Sequence, residues 1–271
     1  MITSASNKQI KRVISLLKKA KARKEEQLFV VEGIRMVSEV PKNRLRELYV
    51  SESLYHNRMN EKNQELFEKI SGIRYEVVED SVFRHMSDTM TPQGILALVK
   101  QSETTFSDIL KQAFNKSKNP CVLVLENIQD PGNLGTILRT SEAAGVSGVI
   151  LSQNTVDIYN PKVIRSTMGT IFRVPFVIVP DLKETILTMK QEKIQVYAAH
   201  LKGEHNFYEE NYQTPTAFLI GNEGNGLTEE TAQLADRYIK IPMEGQVESL
   251  NASVAASLFA YEAKRQRDMI R

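Results

Sequence analysis

The chain has 271 residues, of which 41% are hydrophobic and 25% charged; that supplies a core and excludes disorder as the main state. No apolar run reaches the ~18 residues of a membrane span, residues 1–24 lack the apolar region of a secretory signal, and the lone Cys121 excludes an internal disulfide or a thiolate zinc cluster. The net charge of +2 hides an asymmetry, +4 over residues 1–105 against −2 over 106–271.

The first 24 residues carry eight basic side chains and no acidic one. Ile10, Val13, Ile14 and Leu17 repeat at helical spacing, which predicts one basic helix with an apolar stripe facing a core. Its cationic face, with Lys8, Lys11, Arg12, Lys18 and Lys19, suits a phosphate backbone; a merely solvated basic helix fits the charge run as well. Beyond it, strands are expected at Leu28–Glu32, Glu47–Ser51, Tyr75–Val78 and Gly94–Val99. Helices are expected at Ile34–Val40, Glu61–Ser71 and Ser81–Ser87. Residues 1–105 therefore read as a small α/β domain, and the polar stretch 106–119 as a linker holding at most a short helix.

Residues 120–271 alternate more strongly. Strands are expected at Val122–Glu126, Gly148–Leu151, Val174–Val179, Gln195–Ala199, Ala217–Ile220 and Tyr238–Ile241. Helices lie between them at Leu134–Ala144, Pro161–Met168, Leu182–Glu192 and Glu229–Ala235, with a last one over Asn251–Arg267. Continuous Val/Ile/Leu strands separated by helices predict a parallel sheet covered on both faces, with ligands beyond the carboxyl ends of its strands.

Three loops concentrate turn and polar residues at those ends. Asn127–Gly145 turns through Asp130-Pro131-Gly132 into a helix that Asn133 can cap, with Arg139 inside it; alone, this is a good turn. Leu219–Leu227 (LIGNEGNGL) packs three glycines into six residues after a buried strand, so backbone approaches something closely or takes positive φ. It is neither a Walker A loop nor the dinucleotide fingerprint, because no Gly-Lys-Ser/Thr follows and the glycine order is wrong; a plain tight turn is the alternative. Ile241–Ala256 leads from a strand end to a helix capped by Ser249 or Asn251, crowded with Ala252, Ala255, Ala256, Ala260 and Ala263. The four histidines are scattered, and the five-residue offset of His200 and His205 is not HExxH spacing. A cytoplasmic protein needing no metal is expected.

Taken in order, Asp130-Pro131-x-Asn133-x-Gly135-x-x-x-Arg139, Gly221-Asn222-Glu223-Gly224-x-Gly226-Leu227, and Ile241-Pro242-Met243 with Ser249-Leu250-Asn251 resemble the SpoU (TrmH-type) branch of the SPOUT RNA ribose 2′-O-methyltransferases. Asn160-Pro161-Lys162-Val163-Ile164-Arg165-Ser166 resembles a fourth block of that family. Ser6-Asn7-x-x-Ile10-Lys11 and Phe29-Val30-Val31-Glu32-Gly33 resemble its N-terminal substrate-binding domain.

The resemblance implies a C-terminal α/β parallel-sheet domain tied in a trefoil knot, behind a small α/β RNA-binding domain, and a homodimer packed through the knot helices. It implies S-adenosyl-L-methionine held largely by main chain at Gly221, Ile241 and Leu250, beside Asn222 and Met243. Arg139 would serve the reaction, Asn133 and Glu223 would hold it and the loop, and Ser249 and Asn251 would orient the target ribose. Arg165 would join the basic helix on RNA. The implied substrate is RNA, 23S ribosomal RNA ahead of transfer RNA; a non-catalytic RNA-binding protein and a base-methylating enzyme of the same fold are the rivals.

Overall fold

A computed structural model describes residues 1–269, whose chain divides into two compact units. The first comprises Met1–Ser102 together with Tyr159–Arg165. Its strands β1 (Leu28–Glu32), β2 (Leu45–Ser51), β3 (Glu76–Val78) and β4 (Ile95–Lys100) form one sheet in the order β1-β4-β2-β3, with only the β2–β3 pair parallel. The expected basic helix is two helices, α1 (Lys8–Lys18) and α2 (Ala20–Glu26), because Lys19 between them is extended at φ −120° and ψ 114°. Arg23 is buried there, donating to the carbonyls of Leu16 (2.6 Å) and Leu17 (3.1 Å), and so satisfies the last turn of α1. Ile10, Val13 and Leu16 are fully buried against the sheet, with Ile14 and Leu17 at the margin of that core.

Short helices α3 (Ile34–Ser38), α4 (Glu52–His56), α5 (Glu61–Lys69) and α6 (Asp80–His85) complete this unit. Of these α4 lies outside the sequence expectation: β2 runs straight into it, and Ser51 serves as both strand end and N-cap, accepting from Leu54 N at 3.2 Å. Tyr159 packs its ring on Phe29 at 4.7 Å between centroids, while its hydroxyl accepts from Ser102 N at 2.8 Å.

The second unit comprises Glu103–Ile158 and Ser166–Arg271. Strands β5 (Cys121–Leu125), β6 (Gly148–Ser152), β7 (Phe176–Val179), β8 (Gln195–Ala199), β9 (His205–Asn206), β10 (Thr216–Ile220) and β11 (Arg237–Lys240) form an all-parallel sheet in the order β7-β6-β5-β10-β8-β11-β9. Every residue of β5, β6 and β10 is buried, the signature of strands covered on both faces. Val122, Val124, Ile150, Val196 and Leu219 lie in one core cluster. The two-residue β9 is too short for any period to announce it.

Residues 106–119, read as a linker, contain α7 (Phe106–Lys116), opened by a Thr105–Asp108 capping box. Ile109, Leu110 and Ala113 give that polar stretch a narrow apolar face, which is buried on the second unit. Helix α8 (Pro131–Ala144) begins three residues before the expected Leu134. Its cap is Asp130 rather than Asn133, accepting from Asn133 N at 2.8 Å with Pro131 at the first helical position. Helices α9 (Pro161–Thr167), α10 (Leu182–Gln191) and α11 (Glu229–Ala232) follow. Residues 241–250 run without regular structure into α12 (Ala252–Asp268), which packs on α8. Among the described residues no helix is long and apolar enough to cross a membrane.

Candidate functional site

The strands β8, β10 and β11 end at the same edge of the parallel sheet, and a cavity of about 340 Å³ opens beyond them. That is the edge at which open α/β sheets bind ligands, and the volume lies within the ~300–1,000 Å³ range of small-molecule sites. One wall is the loop Gly221–Leu227 after β10, a second is residues 241–250 after β11, and a third is the turn at His200–Lys202 after β8. Ile239, Ile241, Met243, Leu250 and Phe259 supply apolar surface.

The Gly221 loop is a small closed ring. Asn222 and Gly226 exchange two backbone hydrogen bonds, at 3.0 and 2.9 Å, and Gly226 takes φ +69°, which glycine adopts freely. Gly221 is required for a different reason: a Cβ there would stand 2.0 Å from the Gly226 carbonyl carbon. Asn222 braces the ring with its side chain, accepting from Gly224 N (2.8 Å) and donating to the Asn127 carbonyl (2.8 Å). Asn127 itself sits at φ +56°, a left-handed residue two positions past the end of β5.

Glu223 reaches out of the ring to the loop after β5. It accepts from the backbone N–H groups of Gln129 (3.0 Å) and Asp130 (3.1 Å) and from Asn133 Nδ2 (2.9 Å). Burial alone would push its carboxyl up; those donors more than offset this and hold it below the usual glutamate range. Asn133 Oδ1 in turn accepts from Asn251 Nδ2 at 2.9 Å, and Asn251 Oδ1 caps α12 by accepting from Ser253 N at 2.9 Å. Glu223, Asn133 and Asn251, which lie far apart in sequence, thus form one hydrogen-bonded line from the ring to the start of α12.

Of the residues singled out from the sequence, Gly221, Asn222, Glu223, Ile241, Met243, Ser249 and Leu250 line the cavity, and Asn133 and Asn251 stand behind it in that line. Asn251, not Ser249, caps α12. Arg139 is exposed on α8, outside the cavity lining and without an ion-pair or hydrogen-bond partner among the described residues. Lys8, Lys11, Lys18 and Lys19 are exposed. Arg12 is not a free cation: it pairs with Glu26 and Glu47. Arg165 pairs with Asp88.

His200 was not singled out, yet it lines the cavity with its ring 4.9 Å from that of Tyr238. Its Nδ1 accepts from Lys202 N at 3.1 Å, which leaves Nε2 to carry the proton of the neutral ring. The available signal was Gly203, where a Cβ would come within 2.8 Å of the β11 backbone, so the turn after β8 is pressed onto its neighbour.

The SpoU rRNA methylase family model matches residues 120–261, and the MRM3-like substrate binding domain matches residues 7–97. A relative from Bacillus subtilis, 23S rRNA (guanosine(2553)-2'-O)-methyltransferase RlmP, is 31% identical over 97% of this chain and 98% of its own. Among solved structures, the SpoU methyltransferase AviRb from Streptomyces viridochromogenes superposes with a TM-score of 0.83 at 26% identity, covering 98% of this chain and 99% of that one. An AdoMet-bound rRNA methyltransferase from Sinorhizobium meliloti gives a TM-score of 0.82 at 28% identity, covering 97% of each chain.

Proposed function

The chain belongs to the SpoU rRNA methylase family, and from that premise we propose that it transfers a methyl group from S-adenosyl-L-methionine to a ribose 2′-hydroxyl of 23S ribosomal RNA. The observation that carries this reading is the glycine ring over the cavity, joined through Glu223 and Asn133 to Asn251. The cavity fits the cofactor chemically: Ile239, Ile241, Leu250 and Phe259 offer apolar contact to a purine, and the exposed, side-chain-free Gly224 and Gly226 let a ligand come close to the loop's main chain.

When bound, S-adenosylmethionine supplies a methyl group already activated by a positively charged sulfur. What remains for the protein is alignment of the nucleophile, removal of the hydroxyl proton and stabilisation of the developing alkoxide. Arginine side chains stay protonated in proteins, so Arg139 acts by binding the phosphate beside the target ribose and stabilising that alkoxide. Glu223 and Asn133 hold the ring against the loop after β5, Asn251 fixes the start of α12, and Ser249 just before it orients the ribose.

We propose further that residues 241–250 thread a trefoil knot and that two copies pair through α12 to make composite sites. Val254, Leu258 and Tyr261 support the pairing: at i, i+4 and i+7 they form one apolar stripe on α12, 46%, 36% and 48% exposed. Lys8, Lys11, Lys18 and Lys19 then provide RNA affinity, and the protein works in the cytoplasm alongside ribosomal RNA.

Treating RNA with the protein and S-adenosylmethionine tests the function, because 2′-O-methylation blocks alkaline cleavage. Alkali-resistant dinucleotides mapping to 23S rRNA are expected. Methyl incorporation without them would move the reaction to a base atom, resistant dinucleotides only in transfer RNA would change the substrate, and no incorporation would leave a binding protein.

A further inference from the structure

We infer that Glu126, a residue outside the cavity lining, is the positioning residue that sets the cofactor ring by gripping it at both ends. The inference rests on the reading of the cavity as the S-adenosylmethionine site. Glu126 is the first residue past β5 and is 6% exposed. Its backbone N–H donates to the Ile220 carbonyl at 2.8 Å, immediately before Gly221, and so fixes where the ring begins. Its carboxylate fixes where the ring ends: Oε2 accepts from Thr228 N at 2.7 Å, and Oε1 accepts from Thr228 Oγ1 at 2.8 Å and from Thr231 Oγ1 at 2.5 Å.

Buried carboxylates are costly and persist where donors satisfy them. Here all three donors come from the segment that leaves the ring, although Glu126 lies on a different strand about a hundred residues earlier. Thr228 is also the N-cap of α11, its hydroxyl oxygen accepting from Thr231 N at 3.2 Å, so the same contacts hold the first turn of that helix. The next residue continues the clasp, since the Asn127 carbonyl accepts from Asn222 Nδ2. The ring's entry, turn and exit are therefore referenced to residues 126 and 127 of one strand end. A ring so pinned presents its main chain to a ligand without paying to order it at binding, and the side chain that pins its exit lies outside the cavity lining.

The test is calorimetric titration of the full chain with S-adenosylmethionine, alongside steady-state methyl transfer. Glu126→Gln keeps the shape but replaces one acceptor by a donor facing the Thr228 N–H or the two hydroxyls. It should weaken cofactor binding and raise the cofactor KM by ten-fold or more, with kcat at saturating cofactor within about three-fold. Thr231→Val removes one of the three donors and should raise both constants by a smaller factor, and it decides the matter if Glu126→Gln does not fold. Glu126→Asp retains the charge but is one methylene short, so it should fall between Glu126→Gln and the unaltered protein. A lowered unfolding temperature with unchanged cofactor binding in Glu126→Gln, or in Thr231→Val where that variant decides, would overturn the inference. No S-adenosylmethionine binding by the unaltered protein would overturn the reading of the cavity, and the inference with it.

Discussion

Replacing Gly221 with alanine tests whether the closed ring is what grips the cofactor. The added methyl would lie 2.0 Å from the Gly226 carbonyl carbon, 2.1 Å from Leu227 N and 2.3 Å from the Gly226 oxygen. Non-bonded carbon contacts settle near 3.5–4.0 Å, so the ring must open by more than ~1 Å. Every atom in the way is backbone, and no flexible side chain can swing aside. Opening sacrifices the paired Asn222–Gly226 hydrogen bonds, each worth a net ~0.5–1.5 kcal/mol; forcing the methyl into a closed ring instead costs ~1–3 kcal/mol of overpacking. By either route a ligand that needs the closed ring would lose about 1–3 kcal/mol, roughly 5- to 150-fold in affinity. Gly224→Ala is the comparison, because its methyl would meet nothing nearer than Asn222 Oδ1 at 3.5 Å and should weaken binding far less. Calorimetric titration with S-adenosylmethionine, with thermal unfolding to confirm folding, reads the difference. Equal affinities for the two variants would refute the reasoning.

Arg139→Ala should abolish methyl transfer while fold and cofactor binding persist, and Arg139→Lys should stay badly impaired because it loses the planar fork; full activity in Arg139→Ala would remove the residue from the mechanism. Mixing Arg139→Ala with Asn251→Ala chains should restore activity if the two residues serve one site from different subunits, and no recovery despite proven chain exchange would place both residues in one chain's site or show that both sites must be intact. Replacing Lys8, Lys11, Lys18 and Lys19 by alanine should weaken RNA binding and flatten its salt dependence through lost counterion release, as read by filter binding across a salt series; an unchanged slope would return α1 to a solvated role. Glu223 is held below the usual carboxylate range, so its ring-stabilising contribution is fully present above the unfolded value of ~4.3 and is lost as pH falls through the lower folded one. Cofactor affinity should stay level from neutral pH down to that range and then drop, and Glu223→Gln should flatten the acid limb.

What the residue pattern disclosed, and what it hid, divides by physical cause. The strands β5, β6 and β10 were legible because complete burial demands unbroken apolar runs, and the ends of β5 and β10 were legible because the Asp130-Pro131 turn and the glycines of 221–226 allow little else. Helix α7 was hidden because it needs only Ile109, Leu110 and Ala113 for its buried face, leaving a composition that reads as linker. The break at Lys19 was hidden because nothing local forces it; the buried Arg23 satisfies the end of α1 from the next helix. Charge was also overcounted: Arg12 and Arg23 belong to the same basic run as Lys8 and Lys11, yet one is ion-paired and the other buried. Sequence spacing cannot separate such cations from free ones, because their partners, Glu47 and the Leu16 carbonyl, are set by tertiary packing.

The same distinction orders the second unit. Four polar side chains at and behind the cavity are spent on fixed partners: Glu223 on Asn133 and two backbone amides, Asn133 on Asn251, Asn251 on the first turn of α12, Asn222 on Asn127 and Gly224. Groups so engaged cannot turn to a substrate without breaking a bond worth about as much as the one gained. They are suited to fixing the positions of main chain and apolar walls, which leaves ligand recognition to the ring and to Ile239, Ile241 and Leu250. Arg139 stands apart, charged, exposed and unpartnered among the described residues on the helix that Asp130 caps. Its guanidinium, without a partner among the described residues, keeps its hydrogen-bonding capacity intact for a phosphate. That is why we propose the chemistry for Arg139 and the geometry for the line from Glu223 to Asn251.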